Sequence, residues 1–579
     1  MCDINHILFL NDPLSLKQKS MKYIIIGAVA GGASTAARLR RLDEKAEIIL
    51  VEKGEYISYA NCGLPYYIGD VIKDRDKLFV QTANSFNERF NIDVRPMTEA
   101  ISIDSNLKSV QLFNSSTGAN YSETYDKLVL APGAIPIVPP LKGINLPGIF
   151  TVRNVKDTDL IKAAVQQLTM KHATVIGAGF IGLEMMENLH HLGLDVTLIE
   201  RADQVLPPVD FPIAAILQND LVEKGIDLKL NSSVVGFSKS ANNRLIVEIE
   251  SSPSLETDLV ILSIGVKPNA KLAVDANLKI GDFGGILVNE FMQTTNPFIY
   301  AVGDAIEFKH PITKKSTTSF LAGPANKQGR ICANNIVFGN TNSYLGSINT
   351  AIVKVFNHTV ATAGLSVKQL VANNIPHLVS TVFGGSHAGY YPGSEQLAIQ
   401  LAFSPKSGAL LGAQVAGNKG VDKRIDILSL LIQQNGTVTD LCEFEHAYAP
   451  PFSSAKDPIN MAGFAAENML NDMVEVYYWD NITDFSKDEF LVDVRTSLEF
   501  KKGRICSAIN IPLDSIRERL NEFPKNQRIS IYCQAGLRGY LAQRILSQNG
   551  FQVRNLSGGY RLWKECTDAL NATQQLEKT

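Results

Sequence analysis

The chain has 579 residues, 45% of them apolar and 20% charged, with a formal net charge of −3. That length exceeds what one hydrophobic core fills and points to about three or four domains. The charge balance offers no basic face for nucleic acid or an anionic membrane, and no apolar run reaches the roughly 20 residues of a membrane-spanning helix.

Residues 1–20 hold only the short run His6-Ile7-Leu8-Phe9-Leu10 behind Asp3, a poor signal peptide, and read as a mobile extension ahead of Met21. Lys22–Ile26 is a continuous β-branched and aromatic run, the pattern of a parallel strand buried on both faces. Gly27-Ala28-Val29-Ala30-Gly31-Gly32 follows, then a predicted helix over 33–41 and a second strand, Glu47–Val51, ending at Glu52 and Lys53. Strand, glycine turn, helix, strand and acid make a dinucleotide fold. Glycines admit the pyrophosphate, the helix N-terminus stabilises its charge, and the acid accepts a ribose hydroxyl. Val29 stands where the motif has its middle glycine.

Ser58-Tyr59-Ala60-Asn61-Cys62-Gly63-Leu64-Pro65 comes next, placed to carry Cys62 toward the cofactor. No cysteine lies near it, and the position five residues on is Tyr67. A redox role for Cys62 therefore needs a small thiol, a sulfenic oxygen or a distant cysteine as partner; the alternative is a buried, inert thiol. Residues 127–134 read as a strand entering a tight turn at Ala131-Pro132-Gly133. Residues 174–182 give a full GxGxxG (Gly177, Gly179, Gly182), and its second strand, Asp195–Ile199, ends at Glu200 beside Arg201. Residues 296–304 are a strand ending in Gly303-Asp304, suited to a flavin's ribityl or phosphate region. Two dinucleotide folds in one chain imply two dinucleotides, a flavin and a nicotinamide.

The character changes after Met461. Residues 468–474 read as a linker and 491–495 as a strand, and Ile529–Tyr532 leads into Cys533-Gln534-Ala535-Gly536-Leu537-Arg538 ahead of a helix. A cysteine there meets backbone N–H groups and the positive end of the helix, with Arg538 near, which favours a thiolate or a bound persulfide. Cys332, Cys442, Cys506 and Cys566 have no supporting motif and read as buried, and His190-His191 lacks the spacing of a metal site. Scattered cysteines without a CxxC pair fit a reducing, cytoplasmic compartment.

The first glycine loop, residues 58–65, Leu321-Ala322-Gly323-Pro324-Ala325-Asn326 and residues 448–458 together resemble the coenzyme A-disulfide reductases, which are single-cysteine flavin disulfide reductases. Val29 is usual in that family. The resemblance spans about 21–464 and implies an α/β chain of two Rossmann-like domains and an α+β dimerisation domain. Residues 475–579, with Cys533, Arg538 and Leu556-Ser557-Gly558-Gly559-Tyr560, resemble an α/β rhodanese domain. The implied segments are an FAD-binding domain in two parts (21–148 and 271–348), an NAD(P)H-binding domain (149–270), a dimerisation domain (349–466), a linker (467–474) and the rhodanese domain.

By the same resemblance, the cofactor-binding positions are Gly27, Val29, Ala30, Gly31, Gly32, Glu52, Lys53, Ala131, Pro132, Gly133, Gly177, Gly179, Gly182, Glu200, Gly265, Gly303, Asp304 and Ala322. Ser34, Arg38, Arg41, Ser58, Asn61, Asn326 and Lys456 match positions that hold coenzyme A. From the residues alone, Arg38 and Arg41 are as readily a solvated helix face. Tyr448 and Tyr390 match active-site tyrosines that a homodimer sends into the partner's site, with Tyr391 an alternative to Tyr390. The expected function is NAD(P)H- and FAD-dependent reduction of coenzyme A persulfide, polysulfide or coenzyme A disulfide through Cys62, with Cys533 supplying sulfane sulfur. The rivals are an NADH oxidase cycling Cys62 through sulfenic acid, and a sulfur carrier or redox sensor delivering through Cys533.

Overall fold

The computed structural model describes residues 20–167, 170–484 and 489–576. The extension expected over 1–20 therefore lies, but for Ser20, outside the described residues.

Two parallel five-stranded sheets form the first half of the chain. In the first, Ile299–Ala301, Lys127–Leu130, Lys22–Ile26, Glu47–Val51 and Asp93–Arg95 lie side by side. In the second the order is Asp227–Lys229, Asp195–Ile199, His172–Ile176, Leu259–Leu262, Ile149–Phe150. The strands read from apolar runs are the central ones, because a strand covered by helices on both faces has no polar side to show; Ile24, Ile25 and Val175 have no exposed surface. The helix after the first glycine loop is Ala30–Leu42, starting before the predicted 33 and ending after 41. Gly31 and Gly32 are poor helix formers, but a Cβ at Gly32 would sit 1.8 Å from Gly27 O, so only glycine lets the helix begin this close to the strand.

An antiparallel five-stranded sheet follows, ordered Ala351–Val355, His358–Gly364, Leu410–Gly417, Gln396–Phe403, Leu378–Gly385. Helices Val421–Gln433 and Pro458–Leu470 close its core. The second helix overruns the expected linker: residues 467–470 are helical because Ala466 and Met469 pack into that core. A last parallel sheet, Val476–Tyr477, Val553–Leu556, Ile529–Tyr532, Phe490–Asp493, Ile509–Asn510, makes the C-terminal unit.

This unit is seated on the rest of the chain. Its terminal helix, Gly559–Leu576, lays Leu562, Cys566 and Ala569 against Ala215 of helix Phe211–Glu223, with Phe211, Phe383 and Trp479 around them. The rings of Phe211 and Trp479 are 5.3 Å apart. Polar contacts border the apolar patch: Gln218 donates to Ala569 O at 3.2 Å and Thr381 N donates to the Ser557 hydroxyl at 3.1 Å. Of the cysteines read as buried, Cys332 and Cys566 are; Cys442 is half-buried and Cys506 is exposed, since it sits on a turn outside the sheet rather than on a core face.

Among the described residues, no helix is long and apolar enough to cross a membrane, and no cluster of His, Cys, Asp and Glu is placed to hold a metal ion.

Candidate active site

The Cys62 loop is fastened at both ends. Ser58 takes a left-handed backbone (φ 45°), its N–H donates to Ala28 O at 2.8 Å, and its carbonyl accepts from Val80 N at 2.9 Å. Beyond a single 3-10 turn, Asn61–Gly63, the short helix Leu64–Ile68 buries Leu64 and Tyr67 against Leu78 and Val155. Cys62 is left exposed between these anchors, so the thiol is not a buried one. The surrounding protein and the carboxyls of Glu184 and Asp304 push the thiol above its ordinary value, and its access to solvent tempers the first of these causes. The polypeptide alone therefore does not favour a thiolate at Cys62.

The dinucleotide positions form two matching cradles. Each first-helix N-terminus has no side-chain cap and no acid in its first turn: the cap residue is Val29 in the first fold and Gly179 in the second. Their free N–H groups and positive ends suit a pyrophosphate. A Cβ at Gly179 would meet no atom within 4 Å, which is the room a bound phosphate needs, whereas Gly27, Gly177 and Gly182 are glycines because backbone lies against them. Glu52 accepts from Ala28 N at 2.9 Å and Gly54 N at 2.8 Å, and Glu200 accepts from Ala178 N at 2.7 Å and Ala202 N at 2.8 Å. The two acids thus hold their glycine loops in place. Lys53 points to Glu99 at 2.8 Å.

On the flavin side, Ala131 N donates to Ile26 O, Gly133 has φ 70°, and Gly303 (φ 79°) donates its N–H to Gln328. Gly265 has φ 112°, a conformation that favours glycine. Burial pushes the Asp304 carboxyl up, and its charge partner among the described residues, Arg153, stands at 3.7 Å. A carboxylate so placed has lone pairs left for the hydroxyls of a ribityl chain. The residues present fit both dinucleotides.

Ala322 opens the helix Ala322–Phe338, which packs on Ala30–Leu42 so closely that a Cβ at Gly329 would lie 2.6 Å from Gly31 O. This seam brings Ser34 into a hydrogen bond with Asn326, and Arg38 Nε donates to Asn334 Oδ1 at 3.0 Å. Arg330 and Arg41 act on the Arg38 guanidinium as like charges, so positive charge gathers along this seam. Asn61, with its amide turned to suit its partners, donates to Arg153 O at 3.0 Å and accepts from Arg153 Nη1 at 3.2 Å. Lys456 is elsewhere in the protomer, beside Tyr448, at a cleft of about 410 Å³.

Tyr390 and Tyr448 are brought together: their hydroxyls are 2.7 Å apart, and this bond raises the Tyr390 phenol. Tyr391 instead sets its ring edge-on to His387, 5.7 Å away. Behind the pair lies Arg424, which sequence reading missed. It is buried, bonds both oxygens of Asp457 at 3.2 and 2.7 Å, and donates to Ser386 O at 2.9 Å. It thereby joins the loop before Tyr390 to the loop after Tyr448. Arg153 and Glu184 were missed too. Each belongs to the second fold and reaches across to the Cys62 loop, so only the packing of the two folds reveals it.

Cys533 is 1% exposed at the foot of helix Leu537–Gln548, where Gly536 N donates to its Sγ at 3.1 Å. Arg538, near Cys533, also has a carboxylate partner. Its guanidinium makes a bidentate bond to Glu499 at 2.8 and 2.6 Å, and this holds the Glu499 carboxyl down to about 2. Glu499 and Cys533 both act on the Arg538 charge, and the Gly536 N–H is the backbone donor directed at sulfur.

The sequence matches the family described as pyridine nucleotide-disulphide oxidoreductase over residues 21–329, the dimerisation domain of that family over 350–458, and the rhodanese-like domain over 477–566. The coenzyme A disulfide reductase of Staphylococcus epidermidis is 38% identical over 448 residues, covering 77% of this chain and 100% of that protein. The structure of reduced CoADR-RHD from Bacillus anthracis is similar at TM-score 0.93 and 47% identity, over 95% of this chain and 98% of that one. A NAD-dependent persulfide reductase from A. fulgidus aligns at TM-score 0.88 and 36% identity, over 94% of this chain and 100% of that one. A water-forming NADH oxidase from Lactobacillus brevis is more distant, at TM-score 0.75 and 26% identity over 78% of this chain and 100% of that one. An open cysteine beside two dinucleotide cradles and these relationships lead to one assignment: the chain belongs to the coenzyme A disulfide reductase family of pyridine nucleotide-disulphide oxidoreductases, enzymes that use FAD and NAD(P)H, and carries a C-terminal rhodanese-like domain.

Proposed function

We infer that the enzyme reduces sulfane or disulfide sulfur carried on coenzyme A, with coenzyme A persulfide or polysulfide favoured over plain coenzyme A disulfide. The observation that carries this reading is the pairing, in one chain, of an open cysteine without a neighbouring cysteine and a second cysteine at an uncapped helix start. The NADH oxidase reading leaves Cys533 without a task.

Bound FAD supplies the two-electron link between nicotinamide and sulfur. The residues of the chain do the rest. Cys62 Sγ attacks the thiol-bearing sulfur of a persulfide, the S–S bond breaks, and hydrosulfide leaves with the electron pair. The chain acts in the cytoplasm as a homodimer, in which Tyr390 and Tyr448 of one protomer face the Cys62 loop of its partner. Their O–H···O contact keeps a phenolic proton at the leaving sulfur. Arg38 and Arg41, with Lys456 of the dimerisation domain, hold the carrier's phosphates, and Ser34, Ser58, Asn61 and Asn326 fix its polar arm. Cys533 takes sulfane sulfur from a donor and loads it on the carrier thiol, its persulfide stabilised by the Gly536 N–H.

Cys62→Ser tests the reading. The protein should stay yellow and oxidise no NAD(P)H with coenzyme A persulfide; turnover at the wild-type rate would make Cys62 structural and the reading wrong.

A further inference from the structure

The turn that carries Cys62 is tied to the second fold through its neighbour. Asn61–Gly63 is a single 3-10 turn whose backbone bonds stay within its own loop. Among the described residues, the hydrogen bonds that link this turn to another part of the chain run through the Asn61 amide, and both ends of that amide meet Arg153. Its Nδ2 donates to Arg153 O at 3.0 Å and its Oδ1 accepts from Arg153 Nη1 at 3.2 Å. The proposed sulfur chemistry gives Arg153 no task.

Arg153 is itself held in place. Its N–H donates to Asp157 Oδ2 at 3.1 Å, and Asn154 beside it caps the helix Val155–Val165. Val152 and Val155, on either side, pack with Leu64, Tyr67 and Leu78 beneath the Cys62 loop. The Arg153 backbone is thus fixed against that loop, and its guanidinium turns to the flavin side of the first fold. Nη2 stands 3.7 Å from Asp304 Oδ2, and a Cβ at Gly133 would lie 2.7 Å from the same nitrogen. One planar fork therefore meets the reactive turn, the turn at Gly133 and Asp304, which a lysine ammonium could not do. Asn61 spends one N–H and one lone pair on Arg153 and keeps one of each for a carrier.

We propose that Arg153 is a positioning residue for Cys62: by gripping Asn61 from the flavin side, it sets where the Cys62 sulfur stands relative to the carrier and the flavin site. This rests on the reading of Cys62 as nucleophile. Arg153 touches no reacting atom and gives up no proton; it acts through Asn61. Without it, Ser58 and Leu64 still anchor the loop, so Cys62 stays in the site but its turn is loosened. Displacements of about 1 Å are enough to slow a reaction that depends on aligned atoms. Electron transfer from nicotinamide to flavin does not depend on where Cys62 stands.

The test compares Arg153→Met, Asn61→Ala and the double variant as flavin-loaded enzymes with coenzyme A persulfide. Arg153→Met should lower kcat about tenfold. Anaerobic bleaching of the flavin by NADH, without sulfur substrate, should stay within about twofold of wild type. Adding Arg153→Met to Asn61→Ala should cost less than about twofold more, because a residue that acts through another has little effect once that other is gone. Amide hydrogen exchange in a peptide over 58–64 should quicken in all three variants. Arg153→Lys keeps a cation beside Asp304 but has no fork for Asn61, so it should hold flavin and still lose kcat; it decides the question if Arg153→Met does not hold flavin. Effects of the two substitutions that multiply, bleaching slowed as much as turnover, unchanged exchange over 58–64, or wild-type kcat in Arg153→Lys would each overturn the proposal. Failure of the nucleophile reading would show separately, as turnover in Cys62→Ser.

Discussion

Arg424→Met should be among the most damaging single changes outside the cofactor cradles. Arg424 and Asp457 are each 1% exposed, and the guanidinium meets both carboxylate oxygens, Gly420 O and Ser386 O. Methionine fills much of the space but leaves Asp457 with the Ser453 hydroxyl, the Ile459 N–H and Lys423 at 3.8 Å. Stranding a buried charge this way costs about 3–5 kcal/mol, which for a domain of this size lowers the apparent melting temperature by roughly 10 °C or more. The loss should depend on pH with a defined sign. Burial alone would push Asp457 up, but Arg424, Ile459 N–H and Ser453 more than offset it and hold it below the ordinary carboxylate range. In wild type its contribution is present above the unfolded pKa and is lost as pH falls through the lower folded value. In the variant, burial dominates and the folded value rises, so acid now relieves the penalty. Melting curves at pH 7 and pH 4 should therefore show a wide gap between wild type and variant that narrows in acid. Arg424→Met combined with Asp457→Leu should recover most of the loss, short of about 1 kcal/mol for the missing helix cap. A gap of equal width at both pH values, or no recovery in the double variant, would refute the reasoning. Because Arg424 ties together the loops bearing Tyr390 and Tyr448, kcat should also fall about tenfold with flavin content unchanged.

Leu562→Asp buries a carboxylate in the apolar seat of the C-terminal domain and should release that domain, seen as faster proteolysis between about residues 471 and 475 and a larger radius of gyration; an unchanged profile would mean the seat contributes nothing. Cys533→Ser should abolish sulfur loading onto coenzyme A from thiosulfate or polysulfide yet spare reduction of preformed coenzyme A persulfide; equal loss of both in a folded variant would mean that the two cysteines act in one obligatory step. Glu200 ends the second strand of the nicotinamide fold, so kcat/KM should favour NADH over NADPH, and a clear NADPH preference would overturn that assignment.

What could be read from the sequence follows from locality. Lys22–Ile26 and His172–Ile176 are strands by composition because parallel strands are covered on both faces, and the glycines beside them report close backbone approach wherever the chain folds. The start of the helix at Ala30 was not legible: Gly31 and Gly32 argue against a helix by propensity, and tertiary contact with Gly27 and Val302 overrides that. The first residues of the expected linker 467–474 are helical for a similar reason, since Met469 packs into the sheet core. Cys62, Tyr390 and Tyr448 were singled out by motif and resemblance, whereas Glu184, Arg153 and Arg424 carry no such signal. Each matters through a partner more than thirty residues away in the chain, or across two folds, and no local pattern encodes that.

The seat of the C-terminal domain changes what kind of problem sulfur delivery is. Gly559–Leu576 begins against the Cys533 loop, where Tyr560 N donates to Cys533 O at 2.8 Å, and Arg561 of the same helix reaches Gln396 on the strand paired with Leu378–Gly385, which leads to Tyr390. The first turn of this helix thus touches both the Cys533 loop and the sheet that leads to the Tyr390 loop, which seats the C-terminal domain on that sheet. Distance becomes a ruler that the carrier must match. Under the proposed transfer, a thiol with a long flexible arm would visit both cysteines without dissociating, so product formation would start without delay and would not depend on dilution. A short thiol has to leave and diffuse back, and its turnover would show a lag that lengthens as the enzyme is diluted.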